Sequence, residues 1–338
     1  MRISTNTMYE VGSARISELQ SSLSKMQQQI SSGRRIMTPE DDPVGAARAL
    51  VVNQAKSVNE QFGINRRNAQ SALNAEEGAL QSITTLLQDA QANVVYAGNG
   101  SLTDTDRGYL ATELRGRYEE LLGLANTKDG TGNALFAGYQ TSSEAFVKDG
   151  TAPGGINYNG DQGQRMLQVD TSRQMALSDT GNAVFGSGDK SAFKALDDII
   201  KLLENPKGTH SPVALASTDA AVVAANLVVA NAVSPAEKAT AVSAANAAAM
   251  TSASAALNNS YDNVLNVRAS VGIRLNELDA LDNTGDDRNL QYQTTLSQIQ
   301  DLDVVKAYTD ITQQKTILEA AQMAYVKTTS LSLFNFLR

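Results

Sequence analysis

The sequence predicts a mostly α fold with a small β domain: a rod of long antiparallel helices drawn from both chain ends, with a β-rich insert at the distal end. Three observations predict it. Apolar residues recur at helical spacing near both ends of the chain. Between Asn126 and Gly188 the period changes, and Gly and Asp turns separate short apolar runs. Aromatic residues make up only 5% of the 338 residues, which suits helices packed through small side chains rather than one thick core.

The first helix carries the clearest pattern. Ile16, Leu19, Leu23, Met26 and Ile30 are spaced 3, 4, 3 and 4 residues apart, a heptad seam that asks for a partner helix. Between Ile16 and Ile30 the charges are Glu18 and Lys25, and the rest of the surface is Ser and Gln. A solvated coiled coil carries Glu and Lys beside its seam, so this back suits packing on further helices. A helix folded back on its own domain is the alternative. Gly33 is expected to cap this helix. In the following link, Thr38, Asp41 and Asp42 are capping candidates, and Pro39 or Pro43 suits a first helical turn.

A helical pattern then runs from Val44 to about Ala97, and the turn Ala97–Ser101 follows. Thr103 or Asp104 caps a second helix to about Ala125, making an antiparallel hairpin. Strands are expected at Ala134–Ala137, Ala145–Val147, Ile156–Tyr158, Arg165–Val169 and Ala183–Phe185. Ser191 to Leu203 reads as helix, and an Ala-rich tract follows. Within it, Ser234-Pro235-Ala236-Glu237 is a capping box with Pro at the first helical position. The helix it starts should end at Asn283-Thr284-Gly285. A last helix is expected from Asp286 to about Thr328, its apolar edge formed by Leu296, Ile299, Leu302, Val305, Ile311, Leu318 and Tyr325, with Lys315 and Gln322 interrupting. The expected division is 1–43 with 285–338 as a terminal coiled-coil domain. A helical rod domain comprises 44–132 with 189–284, including the Ala-rich insertion at about 206–250, and 133–188 forms a β-rich outer domain.

Composition excludes several functions. A net charge of −8 argues against a nucleic-acid partner, which needs a basic face. The absence of Cys removes disulfides and thiolate metal sites. The N-terminus shows no apolar run of signal-peptide length, and the window Ala220–Val233 is too short and Ala-rich to span a bilayer, so no membrane insertion is expected. Amphipathic surface helices carry Lys and Arg where the terminal helices here carry Ser and Gln.

No catalytic constellation emerges. His210 stands in a turn without a carboxylate cluster. Gly181 to Gly186 has the glycine spacing of a phosphate loop, but Ser187-Gly188 stands where Lys-Ser or Lys-Thr is required. Ser22 to Lys25 and Ser187 to Lys190 match S-x-x-K without its companion motifs. The reading is a non-enzyme with no cofactor and no metal.

Dispersed motifs then carry a resemblance. Met1-Arg2-Ile3-Ser4-Thr5, Ser31 to Ile36 with Asp41 to Gly45, Val267 to Gly272, Leu296 to Asp303 and the ending Ser330 to Leu337 resemble the bacterial flagellin superfamily, in its hook–filament junction branch rather than flagellin itself. Leu135 to Tyr139 and Tyr158 to Asp161 are similar to the entry of that branch's outer domain. The resemblance implies a structural subunit adapting hook-associated protein 1 to the flagellin filament, in a ring of identical subunits. It also implies type III export without a cleaved signal peptide, an export chaperone on the C-terminal segment, and an extracellular location on the flagellum. Flagellin itself, or a non-flagellar coiled-coil adaptor, is the alternative. The implied assembly interface comprises Ile16, Leu19, Leu23, Met26, Ile30, Leu296, Ile299, Leu302, Val305, Ile311, Leu318, Tyr325, Leu333 and Phe336.

Overall fold

The computed structural model describes residues 5–99, 101–205, 219–232 and 234–336, with side chains described for residue 7, from 9 onward within those ranges, and up to 328. It is mostly helical with two small β hairpins, as the sequence predicts. The helices are α1 (Thr5–Ser32), α2 (Pro43–Ala97), α3 (Asp104–Ala125), α4 (Gly181–Phe185), α5 (Ala192–Glu204), α6 (Ala220–Asn231), α7 (Pro235–Gln300) and α8 (Val304–Phe336). Two compact units divide the chain: Met1–Gln61 with Thr284–Arg338, and Phe62–Asn283. The long helices α2 and α7 contribute residues to both.

In the first unit, α1 ends where Gly33 adopts φ +69°, a left-handed cap that disfavours a Cβ. Asp42 starts α2: its Oδ1 accepts the Gly45 N–H at 2.8 Å, and Pro43 sits in the first turn, where no N–H is needed. The expected break at Asn283-Thr284-Gly285 does not occur, and α7 runs through it. A glycine costs a helix interior about 1 kcal/mol, and here packing outweighs it. Gly285 is buried, and its carbonyl accepts the Asn59 side-chain amide at 2.8 Å. The chain breaks instead at 301–303. Asp303 then caps α8, its Oδ1 accepting the Lys306 N–H at 3.0 Å.

The second unit has one main hydrophobic core, built from α2, α3, α5, α7 and the segment between α3 and α5. Thr103 and Asp106 form a capping box at the start of α3. Strands β1 (Phe146–Lys148) and β2 (Ile156–Tyr158) pair antiparallel, with Phe146 opposite Tyr158. Strands β3 (Met166–Asp170) and β4 (Arg173–Ala176) make a second hairpin, with a bulge between Gln168 and Asp170. Residues 134–137 are not a strand. Ala134 makes an isolated bridge to Lys128, and the backbone N–H groups of Ala134 and Leu135 find the carbonyls of Thr141 and Thr127. Residues 183–185 belong to α4 instead of a strand, with Phe185 inserted among Phe136, Phe146 and Phe193 at centroid distances of 5.1–5.6 Å.

The motifs around Phe136 and Tyr158 hold each other. The Tyr158 hydroxyl lies 2.7 Å from the Asp161 carbonyl and 3.0 Å from the Phe136 carbonyl, and donates between them. The Asp161 carboxylate accepts the N–H groups of Tyr139 and Gly163. Gly138 at φ +69° leaves no room for a Cβ, which would lie 2.2 Å from the Asp161 Oδ1.

The capping box at Ser234 forms as expected, with Glu237 Oε2 accepting the Ser234 N–H at 2.9 Å. The described part of the Ala-rich tract is helical. Val229 of α6 packs with Ala241, Val242 and Ala245 of α7, and Val222 packs with Leu202 and Ala249. His210 lies outside the described residues.

Candidate assembly interface

The first unit pairs α1 with α8. Beside each other, the α1–α2 and α7–α8 breaks are stitched by backbone. The Arg35 N–H donates to the Gln300 carbonyl at 2.7 Å, and the Leu302 N–H to the Gly33 carbonyl at 3.0 Å. Arg34 and Asp301 form the antiparallel bridge between them. At the other end of the pair, Tyr9 meets Tyr325. The numbers of the paired residues add to 335 at the joint and to 334 at the tyrosine pair. The two helices are therefore antiparallel in constant register, with Ile16 level with Leu318 and Leu23 level with Ile311.

Side chains reinforce the joint. The Arg35 guanidinium donates to the Ile299 carbonyl at 2.8 Å and pairs with Asp42 at 3.2 Å. Gln29 donates to the Arg35 carbonyl at 2.7 Å. Asp41 folds the link on itself by accepting the N–H groups of Met37 and Thr38 at 2.9 and 3.0 Å, and it pairs with Lys25 of α1. The Lys25 ammonium and those two N–H groups hold the Asp41 carboxyl well below the usual carboxylate range. The Gly45 N–H, and then Arg35, lower Asp42 in the same way.

Among the less exposed positions of α1, Tyr9, Gly12, Ile16, Leu19, Leu23, Met26 and Ile30 form an unbroken heptad row, with Ser22 and Gln29 flanking it. All of them are only half-buried. On α8 the matching row is Ala307, Ile311, Gln314, Leu318, Ala321 and Tyr325, spaced 4, 3, 4, 3 and 4 apart. Ala307 and Leu318 are the buried members.

This row differs from the expected edge. Ile311, Leu318 and Tyr325 lie on it. Val305 does not: it is 80% exposed, on another face of α8. Leu296 and Ile299 are half-buried but belong to α7, before the break, and Leu302 lies within the break. Lys315 and Gln322 stand off the row and do not interrupt it. Leu333 and Phe336 fall within the span of α8, and their side chains lie outside the described residues.

Sequence reasoning missed Ala307, Gln314 and Ala321 because none is a large apolar residue. The regular 3–4 spacing back from Tyr325 was the signal that could have found them. The Gln314 Oε1 is buried with no hydrogen-bond partner among the described residues, a polar interruption at a core position of the seam. A second face of α8 exposes large apolar side chains, with Val305 at 80%, Tyr308 at 59% and Met323 at 68%.

Among the described residues no cluster of His, Asp and Glu could hold a metal ion, and no helix is long and apolar enough to cross a membrane. What the geometry offers is adhesive surface: a thin two-helix seam, a Ser/Gln-rich back on α1 with few charges and an apolar outer face on α8.

Fold and surface together define a flagellin-type structural chain, with helices from both termini paired in one unit. The description of the bacterial flagellin N-terminal helical region accordingly matches residues 3–141. The chain belongs to the flagellar hook-associated protein 3 family. It is 37% identical over 335 residues to flagellar hook-associated protein 3 of Escherichia coli K12, covering 99% of each chain. Against the protein of the same name from Salmonella typhimurium it is 36% identical over 339 residues, covering 100% of each. A solved flagellar junction protein from Legionella pneumophila shares the fold, with a TM-score of 0.54 at 20% identity over 75% of this chain and 100% of that one.

Proposed function

We propose that this chain is a structural subunit of the bacterial flagellum that forms the junction between hook and filament. The observation that carries the reading is the α1–α8 seam. Each α1 member is only half-buried, so the pair removes little apolar surface from water for the two helices it orders. Neighbouring copies supply the missing burial, through the Ser/Gln back of α1 and the outer face of α8 around Val305, Tyr308 and Met323. The full-length match to hook-associated protein 3 favours this place over that of a filament flagellin.

On this reading the chain is a building block and not an enzyme. It is exported through the flagellar apparatus, with a chaperone holding its C-terminal segment beforehand. Outside the cell it closes a ring of identical subunits, with hook-associated protein 1 on one side and flagellin on the other. The residues that pair the two helices, and so set the assembly surface, are those of the seam: Ile16, Leu19, Leu23, Met26 and Ile30 with Ile311, Leu318 and Tyr325. Leu296, Ile299 and Leu302 act near the joint, Val305 acts on the outer face, and Leu333 and Phe336 act toward the end of α8.

The test is a chain lacking residues 1–32, expressed in place of the full chain in the source bacterium. Hooks without filaments, with flagellin shed into the medium, are expected. Normal filaments on those cells would refute the reading.

A further inference from the structure

Glu76 of α2 is fully buried, and seam and joint make no use of it. Its Oε1 accepts one hydrogen bond, from the Asp179 backbone N–H at 2.8 Å. Its Oε2 is buried with no partner among the described residues. Asp179 lies on the connection between β4 and α4, where Ser178 and Thr180 are also buried. The Asp179 carboxylate already takes the local cation: Arg274 of α7 pairs with it and also donates to the Ala176 carbonyl at 3.2 Å. Gln164 donates to the same carboxylate at 3.0 Å. Glu77, next to Glu76 on α2, is matched by Arg268 of α7 at 2.6 Å.

A buried carboxylate needs several donors or its own cation to stay ionised. Glu76 has one donor, faces a second carboxylate, and sees a guanidinium already engaged. We propose that docking of the 177–180 connection onto α2 and α7 is coupled to uptake of one proton by Glu76. Neutral Glu76 keeps its bond to the Asp179 N–H at no charge cost. Ionised Glu76 sets two carboxylates against one arginine in a dry site, and the connection lets go of α2. Burial first, and then the Asp179 charge, push the Glu76 carboxyl up from its ordinary 4.5 to about 8.

The sign follows from the direction of the shift. The folded-state value lies above the unfolded one, so the open form releases the proton first. Below the ordinary Glu range both forms are protonated and pH has no effect. Between about 4.5 and about 8 the docked form loses ground as pH rises, by up to roughly tenfold per pH unit. Above about 8 the loss levels off. The latch belongs to the second unit and is independent of the seam and of the proposed place in the flagellum.

Hydrogen exchange of the amides at 177–181 in the full chain, from pH 5 to 9 and corrected for intrinsic exchange, tests this. Protection in the wild type should fall by up to about tenfold per pH unit before levelling. Glu76→Gln keeps a neutral side chain of the same shape, and its protection should not vary with pH. Asp179→Asn removes the facing charge and should move the wild-type transition to lower pH. If Glu76→Gln folds poorly, the infrared band of a protonated carboxyl in the wild type at pH 6–7 gives an independent reading. Protection that falls equally in wild type and Glu76→Gln, or the absence of that band, would overturn the proposal.

Discussion

Tyr325 stands edge-on to Tyr9, with ring centroids 6.3 Å apart and planes at 83°, and its ring lies over the backbone of Gly12. A Cβ at Gly12 would come within 2.8 Å of the Tyr325 ring. The glycine, ordinarily a weak helix residue, is what lets α1 and α8 approach at this end. A leucine there must expel the ring and lose an aromatic contact of roughly 1 kcal/mol. In Gly12→Leu, limited proteolysis should cut α1 and α8 faster than in the wild type, and both together, because each helix is ordered by the other. Faster cutting of α1 alone would show that the helices are not coupled.

Gln314 occupies a core position of the seam, and its amide oxygen has no partner among the described residues. Leucine fills a similar volume without that cost, so Gln314→Leu should stabilise the pair by roughly 1 kcal/mol. Proteolytic release of residues 5–32 should slow accordingly. Slower assembly into filaments is not expected; faster release would mean that Gln314 has a partner in solution.

The joint has a pH dependence of opposite sign to that of Glu76. Asp41 and Asp42 have folded-state values below the ordinary one. Their contribution is present above the usual carboxylate range and is lost as pH falls below it. The Met37 and Thr38 amides, which donate to Asp41, should therefore lose protection in acid, below about pH 4. In Asp41→Asn the Lys25 pair is gone at every pH. Those amides should exchange faster at neutral pH and show a smaller acid step. An unchanged acid step in the variant would assign it to another group.

In dilute solution one copy has no neighbours to complete the seam. Trypsin should trim both ends and leave a resistant core drawn from Phe62–Asn283, built around the main hydrophobic core of that unit. Ends that resist cleavage as long as the core does would contradict ordering on assembly.

Much of this was legible in the sequence, and the failures have particular causes. The α1 heptad, the Gly33 stop, the caps at Asp42, Thr103 and Ser234, and β2 are local signals that the fold leaves intact. Gly285 was misleading because the helix end it suggests is overridden by burial and by the Asn59 bond. The true break at 301–303 carries neither Gly nor Pro, and Asp303 as a cap was its one trace. Strand β4 was missed because Arg173-Gln174-Met175-Ala176 buries only Met175 and shows no alternation of apolar residues. The α8 row was misplaced because alanine and glutamine at core positions do not stand out from a polar surface. Residues 136 and 158 carried a sequence resemblance, but not the shared contact through the Tyr158 hydroxyl and Asp161, which is set by tertiary structure.

The most direct test of the junction reading is a single seam substitution that spares the rest of the chain. Leu23→Asp places a charge level with Ile311 in a seam too thin to absorb it. The purified variant should keep the trypsin-resistant core, while cells carrying it should show hooks without attached filaments and flagellin free in the medium. Cells that grow normal filaments and swim with this variant would contradict the seam as a requirement for assembly.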